Sequence, residues 1–136
     1  MNVETRIIAT VLEFYPDVQA IYLFGTYAAC LERPDSDVDI ALLLPPLRAK
    51  EAGSLMMSPL HEALMALLSR DVDLINLRLA PTVLAKEVIM ADRRIFCADE
   101  YAADEFEMLT MSFYQRLNEE RKDLLETIQR TGRILA

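Results

Sequence analysis

Residues 20–44 read AIYLFGTYAACLERPDSDVDIALLL, and this stretch decides the fold class. It contains two largely apolar runs, Ala20–Phe24 and Asp37–Leu44, which are rich in β-branched, aromatic and leucine residues. Gly25 follows the first run and Pro45 the second. Short apolar runs that end at glycine or proline are typical of buried strands. We therefore expect two central strands that are joined by an irregular polar loop.

The segments on either side alternate between helical and strand patterns. They predict a helix over Val3–Tyr15, a second helix that begins after the N-cap Ser58 with Pro59 in its first turn, and a third that begins at Pro81. Strands are predicted over Asp71–Leu77 and Arg94–Ala98, and a polar loop over Lys50–Gly53. Helices that bury one apolar face against a sheet are typical of the α/β (α+β) class, which is the fold class we predict.

The C-terminal quarter predicts one long helix. From Tyr101 to Ile134 there is no proline, and the first glycine is Gly132. Apolar residues recur there at steps of three, four and seven. At ~1.5 Å per residue such a helix reaches roughly 45–50 Å, which exceeds the width of a core of this size. We expect part of it to project and meet another chain.

Length and composition argue against several classes of protein. The chain has 136 residues, which suits one domain, and a formal net charge of -8, which opposes direct binding to nucleic acid. No apolar run is long enough to span a membrane, and the N-terminus has no signal-peptide pattern, so a cytoplasmic location is expected. The two cysteines and one histidine favour neither a disulfide framework nor a zinc site.

Two aspartates stand at the entrance of the second strand. Because residues i and i+2 of a strand share a face, Asp37 and Asp39 are expected to hold their carboxylates side by side. Asp73, in the strand over 71–77, supplies a third carboxylate from across the sheet. Carboxylate oxygens suit Mg²⁺, so the three predict a phosphoryl- or nucleotidyl-transfer centre.

The Gly25–Thr26 pair complements these acids. Gly25 permits a close approach of backbone to phosphate, and Thr26 offers a hydroxyl and a backbone N–H. A structural reading stands beside the functional one, because aspartates at strand entrances also form turns with nearby backbone groups. The joint pattern of strand, Gly-hydroxyl pair, ten residues, Asp-x-Asp and second strand favours the catalytic reading.

The pattern resembles the nucleotidyltransferases of the DNA polymerase β superfamily, whose signature is Gly-Ser, about ten residues, then Asp-x-Asp. The tail PTVLAKEVIM…SFYQRLNEERKDLLE resembles the MNT antitoxins encoded beside HEPN-domain, HepT-like ribonuclease toxins. This resemblance implies a nucleotidyltransferase fold with a small mixed sheet over residues 1–100 and a partner-binding helix over 101–136. It implies ATP as substrate and Mg²⁺ as cofactor, with ATP bound by Gly25, Thr26, Asp37 and Asp39, and with Asp37, Asp39 and Asp73 as metal-binding and catalytic residues.

The function implied by the resemblance is transfer of AMP from ATP to a tyrosine hydroxyl of the toxin, in a hetero-oligomer with it. On that interpretation, Asp73 also helps to deprotonate the incoming hydroxyl. The alternative is a catalytically weak module that neutralises the toxin by contact through its long helix. Transfer to a small molecule is disfavoured because the chain has no second domain to enclose one.

Some positions depart from the family pattern or allow a second interpretation. Thr26 stands where serine is usual, and Ala29 and Cys30 stand where arginine and glycine often occur. His61 is expected on the polar side of its helix as a surface residue, and Asp71 is expected to form a turn at its strand entrance. Neither His61 nor Asp71 is expected to supply a metal ligand, and the departures at Thr26, Ala29 and Cys30 bear on ATP binding instead.

Overall fold

The computed structural model describes residues 2–25 and 37–131. The elements in chain order are α1 (Val3–Phe14), β1 (Ala20–Phe24), β2 (Val38–Leu43), α2 (Pro46–Ala52), α3 (Pro59–Leu68), β3 (Val72–Asn76), a 3₁₀ turn (Leu77–Leu79), α4 (Thr82–Met90), β4 (Arg94–Cys97) and α5 (Glu100–Thr131). The predicted helices and strands are present, with ends that differ by a residue or two. The expectations for Thr26, Ala29 and Cys30 lie outside the described residues.

The four strands form one mixed sheet in the order β3-β2-β1-β4. β1 runs antiparallel to both β2 and β4, whereas β2 and β3 run parallel. The two strands of residues 20–44 are therefore the central pair, as their apolar composition predicts. The α/β (α+β) class with a small mixed sheet is confirmed.

The polar loop predicted at Lys50–Gly53 is wrong, because most of it belongs to α2. Pro46 occupies the first turn of this helix, where a missing N–H costs nothing. Gly53 ends the helix with φ +61°, a conformation that favours glycine. Ala49 is fully buried against the core, so packing stabilises a short helix that its polar residues conceal in the sequence.

Each face of the sheet has its own core. On one face α1 and α3 cover Val38, Ile40 and Leu42 of β2. On the other face α4 and the first turns of α5 cover Ala41 and Leu43. Because side chains alternate along a strand, the odd-numbered residues of β2, including Asp39, point toward the face that α4 and α5 cover.

His61 is buried, so its predicted surface position is wrong. Its Nδ1 accepts the Met57 N–H at 3.0 Å, and its Nε2 lies 2.6 Å from the Val72 carbonyl oxygen. These partners require the neutral ring with the proton on Nε2. The Leu74 N–H of the same edge strand points at the Met56 sulfur at 3.3 Å. The histidine thus covers part of the exposed edge of β3, where backbone groups need partners.

We expect His61→Ala to lower the free energy of unfolding by about 2 to 3 kcal/mol, because it leaves the buried Val72 carbonyl and Met57 N–H without partners. Urea titration followed by circular dichroism measures the loss. Ala66→Ser, at an exposed site on the same helix, is the control and should change the value by less than about 0.5 kcal/mol. Equal midpoints for His61→Ala and the wild type would contradict this role.

The long helix α5 is anchored to the sheet through its first turns. The Asp99 side chain accepts the Ala102 N–H at 3.0 Å and caps the helix. Tyr22 of β1 donates its hydroxyl to Glu107 at 2.9 Å, and Arg94 of β4 donates to the same carboxylate at 2.7 Å. Burial, and then the Glu107 carboxylate, raise the pKa of the Tyr22 hydroxyl above its ordinary value. This cluster fixes the direction in which α5 leaves the domain.

The remainder of α5 extends well past the sheet. Its 32 residues span about 48 Å, and most side chains after Tyr114 are exposed. The prediction of one long helix from residue 101 is confirmed as far as Thr131. Within residues 2–25 and 37–131, no helix is both long enough and apolar enough to cross a membrane.

Candidate active site

Three strand ends bring the predicted site residues to one end of the sheet. Gly25 follows the last residue of β1, which pairs with Asp39 near the start of β2. The parallel pairing of β2 and β3 places Asp73 directly beside Asp39. Asp37 precedes β2 by one position. Residues that are 48 positions or less apart in sequence thus become neighbours through antiparallel and parallel pairing in the same sheet.

The three carboxylates belong to the same face of the sheet. Val38, Val72 and Leu74 point into the core beneath α1 and α3. By alternation, Asp39 and Asp73 point to the opposite face, and Asp37 follows the same parity as Asp39. Asp39 is half-buried, and the other two are exposed to solvent. The arrangement agrees with the predicted side-by-side acids.

The charges of these acids interact. The pKa of the Asp39 carboxyl is raised from 3.8 to about 6, first by burial and then by the nearby carboxylates of Asp73 and Asp37, in that order of importance. Both effects penalise the ionised form, since a desolvated anion loses hydration and like charges repel. A cation placed beside Asp39 would relieve this penalty.

The three carboxylates have the chemistry of a divalent-metal site. Carboxylate oxygens at a solvent-accessible strand end are the ligands that Mg²⁺ uses, and the mutual repulsion of three acids is what such a cation neutralises. Among the residues that the structure describes, no three acidic, histidine or cysteine side chains converge closely enough to enclose one ion. The chemistry and placement of the acids therefore fit the metal, whereas their side chains are not gathered around a single point.

Gly25 lies directly against the Asp39 carboxylate. Its backbone has φ +73°, and a Cβ built there would lie 2.0 Å from Asp39 Oδ2 and 3.0 Å from its Cγ. A real Cβ is excluded at such a distance. The sequence suggested that glycine is needed for approach to a phosphate, and the structure adds a second reason, which is room for the central carboxylate of the site.

The structure also shows the positions of Asp71 and His61. Asp71 lies at the entrance of β3 as expected, where its carbonyl oxygen accepts the Val38 N–H at 3.0 Å and its side chain is exposed. His61, which sequence reasoning assigned to the surface, bonds the carbonyl of Val72, the residue before Asp73. A lone histidine in the first turn of an amphipathic helix gives no signal for this support. Thr26 lies outside the described residues.

The raised pKa of Asp39 predicts a pH-dependent cost in stability. The unfolded chain releases this proton near pH 3.8 and the native protein near pH 6, so the native state binds more protons between these values. The free energy of unfolding therefore falls as pH rises through that window, and the penalty is fully present above it. Since Asp39 is only half-buried, solvent screening reduces the penalty to about 1 kcal/mol.

Urea unfolding of the wild type and of Asp39→Asn measures this penalty. We expect the variant to be more stable than the wild type by about 1 kcal/mol near pH 7.5, and the difference to vanish near pH 4, where Asp39 is largely protonated. A difference that is the same at both pH values would show that charge repulsion is not its cause.

The chain is similar to known nucleotidyltransferases in sequence. Residues 6–101 match the family described as Polymerase beta, Nucleotidyltransferase. The protein adenylyltransferase MntA of Shewanella oneidensis is 33% identical over 126 residues, which are 92% of this chain and 86% of that protein. The matched family region contains all four described site residues, Gly25, Asp37, Asp39 and Asp73.

The fold is also similar to that of chains in solved toxin–antitoxin complexes. A crystal structure of a toxin–antitoxin pair with AMP-PNP contains a chain that is 30% identical with a TM-score of 0.70, and the match covers 94% of this chain and 99% of that one. A structure of a tri-AMPylated Shewanella oneidensis HEPN toxin in complex with MNT antitoxin matches at 30% identity and a TM-score of 0.64, over 93% of this chain and 95% of the other. The predicted nucleotidyltransferase fold is confirmed.

Proposed function

The chain belongs to the Polymerase beta nucleotidyltransferase family, and from this premise we propose that it is an antitoxin that transfers AMP from ATP to a tyrosine hydroxyl of a HEPN-family toxin. The observation that carries the proposal is the group of Gly25, Asp37, Asp39 and Asp73 at one end of the sheet. The relative named as a protein adenylyltransferase and the structure of an AMPylated HEPN toxin with its antitoxin supply the acceptor class.

In this proposal the three aspartates bind Mg²⁺, and Gly25 and Thr26 hold the triphosphate with Asp37 and Asp39. When bound, the metal neutralises phosphate charge. The tyrosine oxygen forms a new bond to the α-phosphorus, the bond from that phosphorus to the bridging oxygen breaks, and pyrophosphate leaves. Asp73 accepts the hydroxyl proton, which has an unperturbed pKa near 10 and needs a base at neutral pH.

The half-buried position of Asp39 supports its role as the central ligand. Its carboxylate lies between the backbone of Gly25 and the neighbouring Asp73, so two strands restrict where it can move. A restricted ligand loses little conformational freedom when it binds. Its pKa of about 6 leaves it mostly ionised at neutral pH and hence able to bind a cation.

We propose that the toxin contacts residues 101–136, of which the first three turns of α5 offer the exposed Tyr101 and Met108. These side chains are 76% and 61% exposed, although both are large and partly or wholly apolar. The acidic chain favours a basic partner. We further propose a hetero-oligomer of the two proteins in the cytoplasm.

A second candidate is neutralisation by contact alone, with a weak active site. It is favoured by the separation of the three acids, which do not enclose an ion among the described residues. The two functions make different demands. Catalysis requires the aspartates, whereas contact alone requires only the exposed side chains of α5.

Intact-mass spectrometry of the cognate HEPN toxin tests the proposal. We expect incubation with the wild-type antitoxin, ATP and Mg²⁺ to add the mass of one or more AMP groups, and EDTA or the Asp37→Asn/Asp39→Asn double variant to prevent the addition. A stable complex without any mass gain would contradict the transferase and favour contact alone. In that case Met108→Asp, and not the double variant, should abolish protection from the toxin.

A further inference from the structure

The strand that carries Asp73 lies at the edge of the sheet. In the order β3-β2-β1-β4, β3 has a neighbouring strand on one side only. The Asp71 carbonyl oxygen accepts the Val38 N–H of β2, so by alternation the backbone groups of Asp71 and Asp73 face β2. The backbone groups of Val72 and Leu74 therefore face outward, where no strand of the described part of the chain covers them.

Two side chains bond these outward groups on either side of Asp73. His61 Nε2 donates to the Val72 carbonyl oxygen at 2.6 Å, and the Leu74 N–H points at the Met56 sulfur at 3.3 Å. Unpaired backbone groups at a sheet edge otherwise bond only to water, which leaves the strand freer to move. We call Met56 and His61 the edge clamp.

The turn before α3 orients the edge clamp. Met57 has φ +63°, a left-handed conformation that is strained in a residue with a side chain, and it is 86% exposed, so burial of the side chain does not offset the strain. In this conformation the Met57 N–H donates to His61 Nδ1 at 3.0 Å. That bond fixes the ring with Nε2 toward β3. The Ser58 hydroxyl oxygen accepts the His61 N–H at 3.2 Å and so holds the same residue by its backbone.

The position of the Asp73 carboxylate depends on the backbone of β3. The side chain is exposed, and among the described residues it makes no hydrogen bond or ion pair. Its neighbours Val72 and Leu74 are buried in the core beneath α1 and α3. The carboxylate is therefore located by the strand and not by partners of its own.

We propose that the edge clamp positions Asp73 for proton transfer. This role rests on the proposed AMP transfer, in which the tyrosine oxygen bonds the α-phosphorus, pyrophosphate leaves, and the hydroxyl proton passes to an Asp73 carboxylate oxygen. A base acts only within hydrogen-bond reach of its proton, and a displacement of about 1 Å is enough to lose much of the rate. Met56 and His61 touch neither substrate nor metal in this scheme, so they are positioning residues.

Two substitutions of His61 separate its two hydrogen bonds. Asparagine places its amide where Nδ1 lies, so it can accept the Met57 N–H but does not reach Val72. The longer glutamine places an amide N–H near the position of Nε2 and can donate to the Val72 oxygen. His61→Asn thus releases β3, whereas His61→Gln keeps it bonded.

Steady-state AMP transfer to the toxin compares the two variants. We expect His61→Asn to lower kcat by about ten-fold or more and to change KM for ATP by less than about two-fold, because the residues assigned to ATP binding lie outside β3. His61→Gln should restore kcat to within about three-fold of the wild type. A role in stability alone would not give this difference in rate per folded molecule, since the rates are compared at a temperature where urea titration shows each variant to be folded.

Met56→Leu is a milder variant that carries the test if His61→Asn does not fold. It removes the acceptor of the Leu74 N–H at nearly constant volume and should lower kcat by about three-fold or more, against the exposed Ala66→Ser as control. Equal kcat for His61→Asn and His61→Gln, or for Met56→Leu and the control, would overturn the positioning role and leave the transferase in place. A wild type that transfers no AMP would instead overturn the proposed function, and the positioning role with it.

Discussion

We expect Asp39→Asn to reduce AMP transfer to the toxin by about a thousand-fold or more, which corresponds to roughly 4 kcal/mol of transition-state stabilisation. Asp39 is the central acid of the site, with Asp73 beside it in the sheet and Asp37 two positions before it. The amide that replaces its carboxylate has nearly the same shape but carries no negative charge. In the proposed mechanism a divalent cation would then lack its central ligand, and the acceptor hydroxyl and the α-phosphate would be less well aligned.

A single-turnover assay with labelled ATP and the toxin measures this effect. The variant should remain folded, since removal of the repelled charge is expected to stabilise the free protein. Asp71→Asn is the matched control, because Asp71 is an exposed aspartate in the same short segment as Asp73 and its structural contact is made by its backbone carbonyl. Activity of Asp39→Asn close to that of the control would refute the role assigned to this carboxylate.

Gly25→Ala is expected to lower AMP transfer by about a hundred-fold. The new methyl group would lie 2.0 Å from Asp39 Oδ2, so the carboxylate or the end of β1 must move. A displacement of about 1 Å at a reacting centre is enough for a loss of this size. The positive φ of Gly25 adds a cost in stability of about 1 kcal/mol or more, because a Cβ is strained in that conformation.

Gly53→Ala separates the two effects. Gly53 also has a positive φ, but a Cβ placed there meets no atom within 4 Å. This variant should lose stability through backbone strain and keep its activity per folded molecule. The comparison uses the rate of AMP transfer at a temperature where both variants are folded. If the two variants lose activity equally, the contact between Gly25 and Asp39 has no functional importance.

The site carries a stability cost that its proposed function explains. Burial and two neighbouring carboxylates act together on Asp39, and both raise its pKa. A protein selected for stability alone would avoid such a group, since apolar or amide side chains would fit at less cost. Carboxylates that repel one another at one end of a sheet therefore indicate ligand binding. A cation that removes the repulsion is expected to stabilise the native state by mass action.

Much of the site follows from local sequence alone. The apolar runs around residues 20–44 predict the two central strands, and the spacing of Asp37 and Asp39 places them on one face, because the side chains of a strand alternate with a period of two. The seven-residue pattern after Tyr101 predicts α5. These features depend only on residues within a few positions of one another, so they can be predicted from short stretches of the sequence.

Features that depend on distant partners were missed or wrongly predicted. The helix α2 has few apolar residues, and what stabilises it is the burial of Ala49 against the core. His61 has the sequence context of a surface residue, and its place is decided by the backbone of β3, to which it bonds at Val72. Neither effect is visible in the residues adjacent to these positions.

Sequence patterns alone predict the four strands, the helices other than α2, and the shared face of Asp37 and Asp39. The folded structure adds that the parallel pairing of β2 with β3 brings Asp73 beside Asp39, and that Gly25 must lack a side chain because the Asp39 carboxylate occupies the space. The physical reason is that periodicity is a local property of the backbone. Register between strands, and the distance between atoms far apart in the chain, are instead set by packing of the whole core.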